Sequence, residues 1–373
     1  MNSIRFEEKK IWKQRKNYVL VAIGLIVIVV LFLFNRHMGI VENNEIDQEA
    51  VFSGPILGRK EFDTELEEYL TSVNLMIDEQ EATFLAAADK GESLEESLTL
   101  PTYPFYRAAL NNELINKELP PYSMRYGTQS SVFSAIVLTG IASLLGIIFF
   151  LFLFGDSLTK EFEERTMNLC LTQPISRVRL YLLKYSLTVG HSFLLTIFLV
   201  VVASLIGLGI SGASSWQYPI IVFTEMSMTF IPIIQYMARV LGLFLFVLLF
   251  CFAIHFLFST LFRKTTFSLL ATIFILAEGH FISVSSNEVL RKIAHLNPFT
   301  YLNVGKLFIG YDFREYGQYN IENQEYYANW CLPRTLHNPQ IEFTQGLLVL
   351  GVTALLIFCI GCYCFRKNIR LDV

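Results

Sequence analysis

The chain has 373 residues, of which 53% are hydrophobic and only 17% charged, with a formal net charge of −4. So apolar a composition excludes an ordinary soluble protein of several domains. The small net charge conceals an asymmetry: residues 36–130 hold 18 acids against 7 bases, a net of −11 that leaves +7 for the remainder. The bases form only short clusters at the edges of apolar runs, which excludes the extended basic, aromatic-bearing patch of a nucleic-acid partner.

Residues 1–17 carry six bases (Arg5, Lys9, Lys10, Lys13, Arg15, Lys16) and two acids, which predicts a cytoplasmic N-terminus by the positive-inside rule. Ile4 and Ile11 share a helical face near Trp12, so the segment reads equally as an interfacial helix and as a simple basic topology signal. Apolar runs of about the length that crosses a bilayer, roughly 20 residues, follow at 18–34, 131–154, 186–210, 240–262, 265–284 and 346–365. Six spans return both termini to the cytoplasm. Phe34, Asn35, Arg36 and His37 close the first run without a small-residue cleavage site, so it is expected to be an uncleaved anchor.

Residues 35–130 form an acidic extracytoplasmic domain that is predicted to be mostly helical. Phe62, Leu66, Tyr69, Leu70, Val73, Leu75 and Met76 recur at three- and four-residue steps, and 105–119 is a second helical candidate. Gly91 to Leu98 and Pro120-Pro121 read as loops. Transmembrane helices two to five then occupy 131–284, with a polar insertion at 155–185, GDSLTKEFEERTMNLCLTQPISRVRLYLLKY. At 100° per residue Leu158, Phe162, Thr166 and Leu169 fall on one stripe, and Lys160, Glu161, Glu164 and Asn168 on the other side. The pattern predicts an amphipathic helix stopped near Pro174, with Thr172 and Ser176 as flanking caps. Arg177, Arg179 and Lys184 lead into the third apolar run. After span three, 211–236 is an external, partly embedded aromatic connection. Residues 285–345 form another external, partly re-entrant connection with Asn297-Pro298-Phe299 and a Tyr-rich stretch at 311–327, before span six and a short cytoplasmic tail at 346–373.

The string EFEERTMNLCLTQPISRVRLYLLK resembles the loop after the second transmembrane helix of ABC-2 type permeases, the membrane subunits of ATP-binding-cassette transporters. Glu161, Glu164, Thr166, Leu169, Leu171, Thr172, Gln173, Pro174, Ile175, Ser176 and Arg177 carry the likeness, while Arg165 replaces a small residue and Cys170 an aliphatic one. The order of apolar segments extends it over nearly the whole chain. The resemblance implies that the loop is a coupling element docking into an ATP-binding subunit, with Glu161 and Glu164 pairing with that subunit's basic residues and the 172–177 bend carrying motion into spans two and three. It also implies an N-terminal helix lying beside the ATPase, a short broken helix with an Asn-Pro turn before span six, a second permease copy or a related permease as partner, and export as the direction. Without it, a plain solvated loop is an equal reading. Arg263-Lys264, between spans four and five, is either a second ATPase contact or a topology signal.

No GxxxxGK[ST] loop occurs, so the chain holds no ATP site of the usual kind; ATP and Mg are expected on the partner, and no cofactor or metal on this chain. Ionisable residues within spans are costly in lipid and mark functional candidates: His191, Arg239, His255, Glu278 and His280. Glu278 and His280, two apart, point about 200° from one another on a helix, which argues against a joint site. A milder expectation is that Arg239, His255, Glu278 or His280 lines a substrate path. The three cysteines 359, 362 and 364 read as small apolar packing at the end of a span rather than as a metal site. The chain is expected to be an all-α polytopic permease of six transmembrane helices that exports a peptide, lipid-like or other amphipathic substrate. The alternatives are a membrane sensor or scaffold with an external ligand-binding domain, and an intramembrane hydrolase built on His255, Glu278 and His280.

Overall fold

The computed structural model describes residues 2–48, 62–89, 102–123, 126–167, 176–223, 228–285, 287–309 and 331–368. The chain opens with α1 (Asn2–Lys13) and, after Gln14, α2 (Arg15–Gln48). A helical pair follows, α3 (Thr64–Asp89) and α4 (Thr102–Asn116), then α5 (Ser130–Ile141), α6 (Leu144–Phe154) and α7 (Asp156–Glu163). Beyond the loop come α8 (Arg177–Ile210), a hairpin of β1 (Pro219–Phe223) and β2 (Met228–Pro232), α9 (Ile233–Phe262) and α10 (Thr265–Ser283). Short helices α11 (Glu288–Ile293), α12 (Gly305–Phe308) and α13 (Leu332–Thr335), with 3-10 turns at Ala294–Leu296 and Pro298–Leu302, precede the last helix, α14 (Phe343–Asn368).

Five of these helices (α2, α8, α9, α10 and α14) are long and apolar enough to cross a membrane, and α5 with the stretch 144–163 forms a sixth, bent pair. The protein is therefore a mostly helical, multi-pass membrane protein. Its axis is α9, in which Leu243, Phe244, Val247, Leu248 and Phe256 are fully buried. The extensive packing of α14 along α9, and of α8 on α5, builds the core around it. By contrast α2 and α14 leave most of their apolar side chains outward, such as Val30, Leu33, Leu348 and Leu355, each more than half exposed. A helix apolar on its outward face is stable only where that face meets lipid or another apolar surface.

The second apolar run is not the continuous helix expected at 131–154. It breaks at Ala142-Ser143, and the two parts meet at 70°. Thr139 and Ser143 turn their hydroxyls onto the carbonyls of Ala135 and Gly140, and Gly146 sits so close to the Ile141 carbonyl that a Cβ there would stand 1.9 Å from its oxygen. Carbonyls freed by a break need a partner where water is scarce. Val304 supplies one, donating its backbone N–H to Ala142 O at 3.1 Å. The Asn-Pro turn before α14 thus stitches to the broken span, and Asn297 caps its own turn by accepting from Phe299 N.

At this end of the bundle the predicted helical pair is present. Leu66 and Leu70 of α3 are buried with Leu110 and Leu114 of α4, while Leu75 is exposed. Asn74 exchanges side-chain amide bonds with Asn111 and Asn112 at 3.0 and 2.8 Å. The connection after α8 departs from an all-α chain: β1 and β2 pair antiparallel from Pro219 opposite Pro232 to Phe223 opposite Met228. Tyr218, fully buried just before β1, takes a bond from Tyr122 N, and Ser214 accepts from Ser131 N at 2.8 Å, satisfying a donor of the first turn of α5. The Tyr-rich stretch at 311–327 and the loop at 91–98 lie outside the described residues.

Candidate coupling surface

At the opposite end, α7 is a junction. It is shorter than predicted, ending at Glu163 rather than near Pro174, because Arg165 takes a left-handed conformation with φ 56°. Thr166 then folds back so that its hydroxyl donates to the Glu161 carboxylate. Thr172, Gln173 and Pro174, with Leu169, Cys170, Leu171 and Ile175, lie outside the described residues. Ser176 caps α8 by accepting from Arg179 N, and Arg177 donates to the carbonyl of Arg366 near the end of α14.

Glu161 does not face outward to meet a partner's bases, as the sequence led us to expect. It is 4% exposed and bound within its own chain, to Lys10 of α1 at 2.5 Å and Lys184 of α8 at 3.1 Å. Lys184, 3% exposed, also donates to Glu7 of α1 at 2.7 Å and to the carbonyl of Ser157 at 3.2 Å. These buried charges are compensated on every side, as burial demands. A pocket of roughly 220 Å³ opens beside this cluster.

Each further side of α7 is tied to another element. Lys16 at the start of α2 pairs with Asp156, and Ser157 shares a bond with Thr188 of α8 at 3.0 Å. Glu163 accepts from Thr265 N at 2.7 Å, capping α10 with a carboxylate that also complements the helix dipole. Thr159 and Thr265 hydroxyls meet at 2.7 Å. Arg263, left-handed at φ 55° in the two-residue turn between α9 and α10, places its guanidinium 5.8 Å from the Phe162 ring centre. Lys264 is exposed beside it, over Phe267 at 5.9 Å. Glu164 is exposed, with only a 3.6 Å pairing to Lys160 on its own helix turn. The outward face is therefore Lys160, Glu164 and Arg165 together with Arg263 and Lys264.

His255 belongs to the same joint. It is fully buried; its Nε2 lies 2.7 Å from Gly155 O, a group that only accepts, so Nε2 carries the proton, and Nδ1 faces Thr272 Oγ1 at 3.0 Å. Glycine is required at 155, since a Cβ would stand 2.9 Å from that Nε2. The histidine ties α9 to α10 and to the start of α7. His280 is half-buried with Nδ1 3.2 Å from Phe299 O, whereas Glu278 is exposed and Arg239 half-buried. Among the described residues no hydrogen bond or ion pair joins Arg239, Glu278 and His280 to one another, and His255 shares none of their surroundings. Among the described residues no group of three or more His, Cys, Asp or Glu side chains is placed to hold a metal ion.

Sequence reasoning found Glu161 and Lys184 separately but not their contact, and counted Glu7, Lys10 and Lys16 only as charges. The signal available was weak: acids at positions 7, 156 and 161 and bases at 10, 16 and 184, all flanking apolar runs on one side of the membrane.

The membrane-crossing helices thus meet, at one end, on the short amphipathic helix α7. The family model described as ABC-2 family transporter protein matches residues 1–367, and the chain belongs to that family. It is the transmembrane component of an ABC transporter, the part that does not itself hydrolyse ATP. No curated protein and no solved structure matches the chain.

Proposed function

We propose that the protein is an export permease of the cell membrane, with both termini cytoplasmic, that pairs with a second permease copy or a related permease and is driven by two ATP-hydrolysing subunits docking on the face around α7. ATP and Mg sit on those subunits. The observation that carries the reading is the wiring of α7, which is bonded or packed to α1, α2, α8, the α9–α10 turn and α10 through Lys10, Asp156, Lys184, Phe162 and Glu163, so that a displacement of this one helix would reach all of them. Glu164, Arg263 and Lys264 are the exposed charges that would meet the ATPase, and the segment 172–177 belongs to the same contact. Glu161 serves this role indirectly, by fixing α7 to α1 and α8 from within. The basic N-terminal segment, Arg263-Lys264 and the bases after α14 support the cytoplasmic placement of this end.

The cargo we favour is a peptide, lipid-like or other amphipathic molecule, on the strength of the family's usual direction and the Phe-rich, lipid-facing helices. The test is purification of the tagged full-length chain from its native membrane. A Walker-motif ATPase should co-purify, and the double change Glu164→Lys with Arg263→Glu should abolish its recovery while the permease remains folded. Recovery of no ATPase, or unchanged recovery with the double variant, would overturn the coupling proposal.

A further inference from the structure

A second pocket, roughly 280 Å³, opens at the other end of the bundle, where α2, the loop between α4 and α5, and the C-terminus of α8 meet. Among the described residues its lining contains a guanidinium, side-chain amides and hydroxyls, and no carboxylate. Several of the donors are unspent. Asn35 is 2% exposed, and its amide nitrogen is buried without a hydrogen-bond partner. Gln129 uses its carbonyl oxygen to accept from Thr128 N, leaving its NH2 group to donate, and Ser123 Oγ accepts from Tyr126 N, leaving its own hydroxyl proton. Arg36 adds the positive charge.

A buried amide donor left unpaired costs on the order of 1–3 kcal/mol, so such a group is expected to have a ligand. The complementary ligand offers several oxygen acceptors and negative charge, which is the chemistry of a phosphate. The surroundings identify its source. The apolar α2 span covers 26 residues to Ile40, about 39 Å at 1.5 Å per residue, longer than the roughly 30 Å hydrocarbon core, which puts its last turn at headgroup depth. Leu33, Phe34, Ile40 and Ile210 stand exposed beside the pocket mouth, where acyl chains would run. We propose that this pocket binds the phosphate of an anionic phospholipid, with Arg36 and the amide of Asn35 as its principal contacts and Gln129 and Ser123 completing the donor set.

The experiment is native mass spectrometry of the full-length protein titrated with phosphatidylglycerol, with diacylglycerol of the same chains and inorganic phosphate as the other arms. Phosphatidylglycerol should bind saturably and diacylglycerol should not, and millimolar inorganic phosphate should leave the lipid complex intact. Arg36→Gln, at an exposed position that does not threaten folding, should weaken binding about tenfold, the worth of one charge-assisted bond. Asn35→Ala should weaken it by a smaller factor. Equal binding of diacylglycerol, displacement by inorganic phosphate, or wild-type binding by the Arg36→Gln variant would each overturn the assignment. The readout is lipid binding alone, so it stands or falls separately from any coupling to an ATPase.

Discussion

The two ends of the bundle handle polarity in opposite ways. On the inner side of α7 the charges are paired, with buried Glu7, Glu161 and Lys184 and the part-exposed Lys10 closed into one cluster. At the far end, among the described residues, the contacts that join separate elements include neutral ones, amide to amide across α3 and α4 and hydroxyl to backbone around Ser214, with donors left over at Asn35 and Gln129. A compensated ionic cluster is worth most as a rigid joint, because removing one member leaves the others uncompensated. In the reading proposed above, the first end would transmit and the second would receive.

The contrast can be broken most severely at Lys184. Lys184→Met strands Glu7 and Glu161 in a buried site and should cost about 3–5 kcal/mol of stability, read as a large fall in the thermal unfolding midpoint of the purified protein. Adding Glu161→Gln to that variant should recover part of the loss. The second test is Glu161→Gln alone, which removes the charge that Lys10 and Lys184 share and should lower the thermal midpoint by less than Lys184→Met does.

Smaller effects sharpen the comparison. Gly279 in α10 lies against the Phe299 ring, where a Cβ would come within 2.4 Å, so Gly279→Ala should force the Asn-Pro turn outward at a cost of about 1–3 kcal/mol. Increased hydrogen exchange confined to 294–308 is the expected signature. Least of all, Asn74→Ala removes neutral amide bonds at the far end and should cost about 1 kcal/mol, loosening α3 from α4 in hydrogen exchange without disturbing the ionic end.

Much of this was legible in the sequence. The five straight spans follow from apolar run length, and α3 and α4 from the three- and four-residue recurrence that ends in Leu66, Leu70, Leu110 and Leu114 packing together. The break after Ile141 was not, because an apolar run looks the same whether or not it bends; Thr139, Gly140, Ser143 and Gly146 were the faint marks of it. The hairpin was missed although PIIVF and MTFIP are short, β-branched and aromatic runs bounded by prolines, the pattern of an edge strand. At the candidate site, a helical wheel correctly put Glu161 among polar neighbours, but a wheel describes one helix. Lys184 and Lys10 reach Glu161 from 23 and 151 residues away, and only the packing of α1 and α8 decides that this carboxylate faces inward while Glu164 faces out.

The bond from Val304 to Ala142 ties two distant stretches of chain into a single mechanical choice. Were the second span to straighten, Ala142 would reclaim its carbonyl for an ordinary helical bond and Val304 would lose its acceptor. The Asn-Pro segment, wedged between α10 and α14, would then be released in the same motion. If α7 is the coupling element proposed above, a push on it and an opening beside the last span would be two descriptions of one latch.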